Sequence, residues 1–392
     1  MRTAEVLVVG AGPVGLAIAL GLRLRGVAVH VLDTGPGADG AVSGGVHHWS
    51  VLPGLERLGV LEDAVARGAV DPRWCLQVLR TGERIDFDLS VLAGEVRHPH
   101  HLYLPARDLS ALLEQHLLRS GAVVERDVRV LTLDQDRDGV ALTVSTPEGE
   151  AVRRADWVVA ADGTSSTVRR AAGLAFPGAS LGERCVVAEV ELDETGLGYA
   201  PTTLQVDDRY GAVVQKAGAG RWTYTCCEPL RLDEEGIGER LGQVLAAALP
   251  QRRVRVLDWA AARMHQRCAD RYREGRLLLV GDAAHVTNRL TGYSSMGGMR
   301  DAEALVDALS AVLGGAADER LLDAYAEDRR RAFLDHALPT SAHRKHLVSQ
   351  IQDPRRLEAE LDQYREASAD PERHRDLLLL TQELTSGSGA RS

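Results

Sequence analysis

Cysteine, lysine and long apolar segments are all scarce in this chain of 392 residues. The five cysteines are scattered and show no C-x-x-C spacing, so neither a disulfide framework nor a thiolate zinc site is indicated, and we expect no metal. No window approaches eighteen consecutive apolar residues, and the first residues lack a cationic leader. We therefore expect an unprocessed protein of the reducing cytoplasm, with no membrane segment.

Positive charge is also in deficit, since 46 lysines and arginines stand against 56 aspartates and glutamates, for a net charge of −10. A nucleic acid is therefore not expected as a partner. Only Lys216 and Lys345 are lysines, which removes lysine chemistry from most of the chain. The composition, 45% hydrophobic and 26% charged, is typical of a globular protein, and the length suggests more than one domain.

The chain begins with the pattern of a β-α-β unit: an apolar strand at 6–9, a glycine turn, a helix at 16–25 and a second strand that ends in Asp33. The turn supplies the candidate cofactor-binding residues Gly10, Gly12, Pro13, Val14 and Gly15. Its G-x-G-x-x-G spacing suits a tight turn, a backbone close to a pyrophosphate and a helix packed on the strand. Asp33 stands where an acid accepts hydrogen bonds from ribose hydroxyls. This motif leaves FAD and NAD open.

The remaining pattern predicts a mixed fold. Apolar runs at 157–161 and 276–280 predict two further buried strands, which end in Asp162-Gly163 and Gly281-Asp282. Short alternating runs between 176 and 268 predict a mostly antiparallel sheet with one helix near 237–249. Other helices are predicted at 52–58, 107–118 and from about 298 to 309, and in a polar region, 318–385, broken by Pro339 and Pro354. Residues 34–45 are predicted to form a pliable loop against the ligand, and 385–392 a loose tail.

Four segments carry a family resemblance. The run Asp162-Gly163-Thr-Ser-Ser166-Thr-Val-Arg169 resembles the D-G-x-x-S-x-V-R segment of single-component FAD monooxygenases of the para-hydroxybenzoate hydroxylase type. Gly281-Asp282-Ala-Ala-His285 is similar to their G-D-A-A-H motif. Arg107-Asp-Leu109 is similar to their R-x-L helix start, and Tyr325-x-x-Asp328-Arg329 to a late Y-x-x-E-R segment. These pieces span roughly residues 4–332.

The resemblance implies an α/β fold: a Rossmann-like FAD-binding domain interleaved with a mostly antiparallel β-sheet substrate domain, followed by C-terminal helices. The implied limits are 1–75, 101–175 and 269–315 for the FAD domain, 76–100 and 176–268 for the substrate domain, and 316–392 for the helical segment. It also implies that Asp282 accepts a hydrogen bond from the ribityl chain of FAD and that Asp162 and Arg169 belong to a shared FAD and nicotinamide-cofactor region. Arg107, Ser295 and Met296 are further candidate cofactor-binding residues.

By the same resemblance, NADH or NADPH binds transiently and reduces FAD, and oxygen adds to give a C4a-hydroperoxide that hydroxylates an aromatic, phenolic small molecule, as in secondary metabolism. The chain departs from the family at residues 289–298, where a proline and a G-x-G-M-N stretch are missing, and at 43–45, where an arginine is missing. The exact flavin contacts are therefore open.

Two histidines follow the glycine loop. In the family's layout His47 and His48 lie beside flavin and substrate, where an imidazole that titrates near pH 6.5 could take a phenolic proton. A loop histidine that touches solvent or adenosine is an equal alternative. Tyr293 is the third catalytic candidate. Tyr210, Trp222 and Tyr224 are expected in the core of the antiparallel sheet rather than in a pocket.

Three other functions remain as alternatives. A flavin halogenase needs an active lysine and a W-x-W-x-I-P segment; the early domain contains no lysine and the chain has no such segment. An FAD oxidoreductase without oxygen insertion, and a flavin-holding protein without turnover, stay open. We expect an aromatic substrate and molecular oxygen as partners, and a monomer or homodimer.

Overall fold

The computed structural model describes residues 4–35, 44–193, 199–250 and 253–380. Its strands are β1 (Ala4–Val9), β2 (Val29–Leu32), β3 (Val46–His47), β4 (Ala69–Asp71), β5 (Arg73–Val78), β6 (Arg84–Asp88), β7 (His101–Tyr103), β8 (Val123–Glu125), β9 (Arg129–Asp136), β10 (Gly139–Thr146), β11 (Gly149–Ala160), β12 (Gly178–Leu192), β13 (Thr202–Val206), β14 (Ala212–Gly218), β15 (Arg221–Pro229), β16 (Val254–Cys268), β17 (Arg273–Glu274), β18 (Leu277–Leu279) and β19 (His285–Val286).

The α-helices are α1 (Pro13–Leu24), α2 (Leu52–Arg57), α3 (Leu61–Arg67), α4 (Ala106–Arg119), α5 (Thr167–Ala171), α6 (Ile237–Ala248), α7 (Tyr293–Leu313), α8 (Arg320–Ala332), α9 (Leu338–Ser349), α10 (Pro354–Ala369) and α11 (Pro371–Leu379). A π-helical turn, Phe333–Ala337, joins α8 to α9. None of the helices in these ranges is long and apolar enough to cross a membrane.

The first sheet has the strand order β17-β18-β11-β1-β2-β8, and β9 and β10 extend it from β11 as an antiparallel meander. β1 lies in the middle, parallel to β11 and β2, and β18 runs parallel to β11. The consecutive residues Val6, Leu7 and Val8 are completely buried, so both faces of the central strand are covered. The carboxyl ends of these parallel strands share one edge of the sheet, which is where ligands bind in such folds.

The second sheet has the order β19-β16-β12-β15-β14-β13-β5-β6 and is antiparallel except for the pair β5 and β13. β5 and β6 precede β12 of the same sheet by about ninety residues, and strands β8 to β11 of the first sheet lie between them in the sequence. The chain therefore passes between the two sheets more than once. The predicted α/β fold class, with interleaved sheets and C-terminal helices, is confirmed. The exact domain limits stay a prediction.

The C-terminal helices close one side of the second sheet. Leu347, Leu361 and Leu378 from α9, α10 and α11 share a hydrophobic cluster with Trp74 and Phe87 of β5 and β6. The rings of Trp74 and Phe87 stack with centroids 4.2 Å apart. This packing places α9 and α11 against the second sheet, next to the strands that line the candidate site.

Two predicted helix boundaries were wrong. α7 begins at Tyr293, before the predicted start near residue 298, because Gly292 takes a left-handed conformation (φ +74°) and reverses the chain there. Pro339 does not break the C-terminal helices, since it occupies the first turn of α9, where proline is tolerated. Pro354 does start a helix, α10. The predicted loop at 34–45 falls mainly on residues outside the described ranges, as does the tail at 385–392.

Candidate active site

The glycine turn between β1 and α1 has the shape that a pyrophosphate requires. Gly10 has φ of +109°, and a Cβ there would collide with the carbonyl of Ala161. A Cβ on Gly15 would collide with the carbonyl of Gly10. By contrast, a Cβ on Gly12 would have no protein atom within 4 Å. The backbone of Gly12 is therefore open to a ligand, at the start of a helix whose dipole favours an anion.

Val14, at the start of α1, packs against both the turn after β18 and α7. Pro13 occupies the first turn of α1, where its missing N–H leaves no donor unsatisfied. Val14 packs so closely on its neighbours that a Cβ on Gly298 would lie 2.8 Å from a Val14 methyl, and one on Gly281 would lie 3.4 Å away. The glycines within α7 thus serve close packing rather than a helix start.

Asp33, after β2, is fixed by the glycine turn. Its Oδ2 accepts a hydrogen bond from the Ala11 N–H at 2.6 Å, and its Oδ1 accepts one from the Gly35 N–H at 2.7 Å. Arg126 Nη1 lies 3.3 Å from Oδ1. Oδ2, which has one donor among the described residues, keeps a lone pair that can accept a ribose hydroxyl.

Asp162, after β11, caps a short helix. Its Oδ2 accepts hydrogen bonds from the N–H groups of Thr167 and Val168 at 2.7 and 3.1 Å, at the start of α5. Its Oδ1 is buried and has no hydrogen-bond partner within the described ranges. Asp162 follows directly on Ala161, whose carbonyl lies against Gly10 of the glycine turn.

Asp282 stands in the turn that follows β18. Its Oδ2 accepts one long hydrogen bond, from Thr164 Oγ1 at 3.3 Å. Burial raises the pKa of Asp282, while the nearby side chains of His285, Arg289 and Thr164 act to lower it. A buried carboxylate with one long hydrogen bond gains from a second donor, which a ribityl hydroxyl can supply.

A buried charge network fixes the turn around Asp282. Asp301 of α7 accepts hydrogen bonds from His285 Nε2–H at 2.7 Å, Arg329 Nε–H at 2.8 Å and the Gly281 N–H at 3.0 Å. Burial acts to raise the pKa of Asp301, but His285 and Arg329 outweigh it and lower the pKa to about 2. The ionised carboxylate therefore ties α7 and α8 to the strand end.

A cavity that is partly open to solvent, with about 1030 Å³ of space when that solvent is included, lies between the second sheet, the start of α7 and the C-terminal helices. Its wall includes five predicted site residues, His47, His48, Tyr293, Ser295 and Met296, together with Trp74, His101, Gln215 and Arg344 and a set of apolar side chains. Among the described residues of this wall there is no aspartate or glutamate. A second cavity, of about 1230 Å³, shares Tyr293, Arg344 and Leu377 with the first.

The two predicted histidines present different nitrogens. His47 Nε2 lies 3.0 Å from the carbonyl of Leu104, so Nε2–H donates and the lone pair is on Nδ1. His48 Nδ1 accepts from the Ser50 N–H at 3.2 Å, which places the hydrogen on Nε2. Burial lowers the pKa of His47 to about 4 and that of His48 well below its ordinary value. The sequence predicted an imidazole with a pKa near 6.5, and the pKa values of both residues lie below that value. Both imidazoles are therefore neutral at pH 7.

His101, which the sequence did not single out, completes a histidine cluster. Its ring lies 4.8 Å from that of His48, and its Nδ1 accepts from the Trp49 N–H at 3.2 Å, so its Nε2 also carries the hydrogen. Burial lowers the pKa of His101 to about 3, and the positive charge of Arg344 acts in the same direction. The cavity wall thus contains two neutral imidazoles, His48 and His101, that can donate a hydrogen bond from Nε2.

Tyr293 is the first residue of α7 and is 3% exposed. Its hydroxyl is buried without a hydrogen-bond partner among the described residues. Buried hydroxyls are normally satisfied, so this one is available to a ligand. Arg344 of α9 lies over the Tyr293 ring, with 5.6 Å between the guanidinium carbon and the ring centroid.

The start of α7 borders the cavity. Its first turn has no acidic residue, so the positive end of the helix dipole is not neutralised there. Ser295 and Met296 belong to this turn and line the cavity. Ser50 Oγ lies 2.9 Å from His48 Nδ1 and 3.6 Å from Met296 Sδ, which links the histidine to the helix start.

Arg107 does not line the cavity. It lies in the first turn of α4, and its partly exposed side chain is 3.5 Å from Glu189 of β12. The aromatic residues Tyr210, Trp222 and Tyr224 pack with α6 in a separate hydrophobic cluster, which confirms the expected core role. His101 and Arg344 were missed because neither stands in a motif; the apolar alternation around β7 and the helical pattern near α9 carry no signal for a cavity.

A parallel sheet whose strand ends carry an open glycine turn and three carboxylates, beside a cavity that is partly open to solvent, is the arrangement of a dinucleotide-binding protein. The family model described as "FAD binding domain" matches residues 3–337, and the chain belongs to this FAD-binding family.

Named relatives are monooxygenases. The chain is 36% identical to a 6-hydroxy-3-succinoylpyridine 3-monooxygenase of Pseudomonas putida, over 94% of this chain and 97% of the relative. It is 36% identical to a para-nitrophenol 4-monooxygenase of a Pseudomonas species, over 86% and 85%. A crystal structure of a p-nitrophenol 4-monooxygenase from Pseudomonas putida matches with a TM-score of 0.94 at 34% identity, covering 98% and 99% of the two chains. The protein is thus an FAD-dependent monooxygenase, as predicted.

Proposed function

We propose that the protein hydroxylates a phenolic ring held in the 1030 Å³ cavity, with FAD along the adjoining edge of the parallel sheet. The observation that carries this proposal is the convergence of His47, His48 and Tyr293 with the start of α7 in one cavity wall. The named relatives act on a nitrophenol and on a hydroxylated pyridine, which supports a hydroxylated aromatic substrate.

The residues proposed to hold FAD fit that cofactor. The open Gly12 suits the pyrophosphate, the spare lone pair of Asp33 a ribose hydroxyl, and Asp282 the ribityl chain. The other proposed contacts are Gly10, Pro13, Val14, Gly15, Arg107, Asp162, Ser295 and Met296. FAD held there and reduced by NADH or NADPH would activate molecular oxygen for transfer of one oxygen atom to the ring.

The histidines suggest how the substrate oxygen is treated. A phenolate is a stronger nucleophile than a phenol, and two Nε2–H donors, on His48 and His101, suit a negatively charged oxygen. His47, with a lone pair on Nδ1 and a pKa of about 4, is a weak base at most. We therefore propose that His48 stabilises the phenolate by donating a hydrogen bond and that it does not remove the proton.

Labelled molecular oxygen tests the reaction. The purified protein, supplied with NADH or NADPH and a panel of phenols, is expected to consume reductant faster with a suitable phenol and to place one labelled oxygen atom in the product. Oxidation of the phenol without label would favour an oxidoreductase that inserts no oxygen. Absence of stimulated consumption across the panel would favour a flavin-holding protein.

Two substitutions separate a donor from a base at position 48. If His48 donates, His48→Ala should slow oxygen transfer about 100-fold, whereas His48→Gln, whose amide N–H can replace Nε2–H, should lose less. If His48 were instead the base, the rate of oxygen transfer would fall equally in both variants. His116→Gln, on the outer face of α4 and paired with Asp63, is the matched control and should leave the rate unchanged.

The pH profile gives an independent measure. With substituted phenols of different acidity, the midpoint of the hydroxylation rate should move with the ionisation of the phenol itself, because burial keeps the pKa of His47 and of His48 low. A midpoint fixed near 6.5 for every phenol would instead assign the proton to an unperturbed histidine.

We also propose a cytoplasmic monomer or homodimer. All five cysteines are free, four of them buried, which suits a reducing compartment. Sedimentation of the FAD-loaded protein over a range of concentrations would decide between the two states. A larger assembly would contradict the proposal.

A further inference from the structure

Arg344 has an unusual position for a cation. It extends from α9 into the wall of the 1030 Å³ cavity, between two aromatic rings: its guanidinium carbon lies 5.7 Å from the centroid of Trp74 and 5.6 Å from that of Tyr293. Such stacking orients the guanidinium plane but does not neutralise its charge. The edge of the guanidinium, with its N–H groups, remains for another partner.

No such partner exists within the described part of the chain. Arg344 forms no ion pair within 4 Å and no hydrogen bond with any described residue, although most arginines of this protein are paired with a carboxylate. The described residues that line the cavity include no carboxylate. Asp335 lines the second cavity, which Arg344 also borders, but the two side chains do not form an ion pair.

Other groups in the wall have the same polarity. The Tyr293 hydroxyl has no hydrogen-bond partner among the residues that the structure describes, and His48 and His101 are neutral imidazoles with hydrogens on Nε2. The start of α7 adds the positive end of a dipole. In a protein with a net charge of −10, this cavity is therefore a local region of donors with one full positive charge.

We infer that the cavity selects aromatic substrates that bind as anions and that Arg344 is the residue that recognises the negative charge. This inference rests on the proposed function, which makes the cavity the substrate site. It extends that proposal by naming the chemical class of the substrate. A planar carboxylate or a phenolate oxygen would accept hydrogen bonds from the guanidinium edge while its ring packs against the apolar part of the wall. A partly desolvated arginine without a counter-ion gains most from a ligand that supplies one.

Ligand binding tests the inference without turnover. The FAD-loaded protein, with no NADH or NADPH present, is titrated with 4-hydroxybenzoate and with 4-hydroxybenzamide, which share a shape and differ in charge, and binding is followed by calorimetry. A second arm uses 4-nitrophenol at pH values on either side of its own ionisation. The first arm reports a carboxylate as the recognised group and the second a phenolate.

In the wild-type protein the anionic form of at least one pair should bind roughly 10- to 100-fold more tightly than the neutral form. Arg344→Gln should bring that ratio close to one, and Arg344→Lys, which keeps the charge but not the plane, should give an intermediate ratio. Arg356→Gln, an exposed position on α10, is the matched control and should keep the wild-type ratio.

Several results would overturn the inference. One is a wild-type protein that binds no anionic probe more tightly than its neutral counterpart. Another is an Arg344→Gln variant that folds, as judged by its thermal unfolding, and keeps the full preference or weakens both forms equally. If Arg344→Gln does not fold, the wild-type ratio and Arg344→Lys still decide. Failure of oxygen insertion with a retained anion preference would refute only the proposed function.

Discussion

The edge of the first sheet and the cavity beside the second sheet handle charge in opposite ways. At the edge, Asp33 and Asp162 are held by backbone N–H groups, and Asp301 is held by an imidazole and a guanidinium. In the cavity, the histidines are neutral, Arg344 lacks a counter-ion in the described chain, and the Tyr293 hydroxyl has no partner. The edge keeps carboxylate acceptors for a ligand, on Asp162 and Asp282, whereas the cavity wall keeps donors.

This difference leads us to expect that the two regions bind different ligands. Main-chain N–H groups at a helix start and strand ends suit a pyrophosphate and sugar hydroxyls, which are common to every turnover. A cavity with unsatisfied donors favours one polarity of ligand and leaves the rest of recognition to shape. We therefore expect cofactor binding to depend on backbone geometry and substrate binding to depend on side chains.

Acid should affect the cavity first, and this is the largest predicted effect. The pKa values of His47 and His101, about 4 and about 3 in the folded protein, lie below the unfolded value of about 6.5, so the unfolded state binds more protons. Their contribution to stability is complete above pH 6.5 and is lost as the pH falls toward 4. Between pH 7 and 5 these two histidines alone should lower the free energy of unfolding by roughly 4 kcal/mol.

The edge should resist the same acid. Asp301, with a pKa of about 2, contributes stability that is lost only as the pH falls below its ordinary value toward 2. Urea unfolding at several pH values measures both windows. His101→Asn keeps an acceptor for the Trp49 N–H and removes one titration, so it should remove roughly 2 kcal/mol of the loss between pH 7 and 5. A stability that is flat over this range would contradict the buried, neutral histidines.

Gly12→Val tests the edge of the first sheet. Its side chain would meet no protein atom near Cβ but would occupy the approach to the Gly12 backbone, so FAD affinity should fall about 100-fold while the free energy of unfolding of the FAD-free protein stays nearly constant. Fluorescence titration with FAD and urea unfolding measure the two quantities. Gly242→Val, in α6 with similarly open surroundings, is the control, and unchanged FAD binding by Gly12→Val would remove the pyrophosphate assignment.

The two regions also differ in how far the sequence predicts them. The glycine turn, Asp33 and Asp282 could be found because each stands directly after an apolar strand, and parallel strand ends meet at one edge whatever the rest of the chain does. The cavity joins residues from β3, β7 and α9, and Arg344 lies about three hundred residues from His48, a juxtaposition that no local pattern encodes. His47 and His48 were found by family layout, yet their low pKa values depend on burial, which the sequence does not reveal.

Asp282 should show an intermediate effect. Its buried carboxylate accepts one long hydrogen bond, and a charge-assisted hydrogen bond to FAD is worth about 1.5–3 kcal/mol, so Asp282→Ala should weaken FAD binding roughly 10- to 100-fold. Asp282→Asn keeps an acceptor oxygen and should lose less. The fold should survive in both, as thermal unfolding would show. An unchanged FAD dissociation constant in Asp282→Ala would exclude this residue from the cofactor site.

Tyr293 tests the claim that the cavity keeps unsatisfied donors, and its effect on stability is the smallest. Because its buried hydroxyl has no partner among the described residues, Tyr293→Phe should leave the ligand-free protein as stable as before or raise its free energy of unfolding by up to about 1 kcal/mol. Tyr103 is the matched control: its hydroxyl lies 3.2 Å from Thr202 Oγ1, so Tyr103→Phe should cost about 1 kcal/mol. In calorimetric titrations with a phenol that the enzyme hydroxylates, Tyr293→Phe should bind the phenol about 10-fold more weakly, because the hydrogen bond between the Tyr293 hydroxyl and the ligand is lost. A loss of stability in Tyr293→Phe equal to that in Tyr103→Phe would show that the hydroxyl is already satisfied and that the donors facing the substrate are fewer than the cavity suggests.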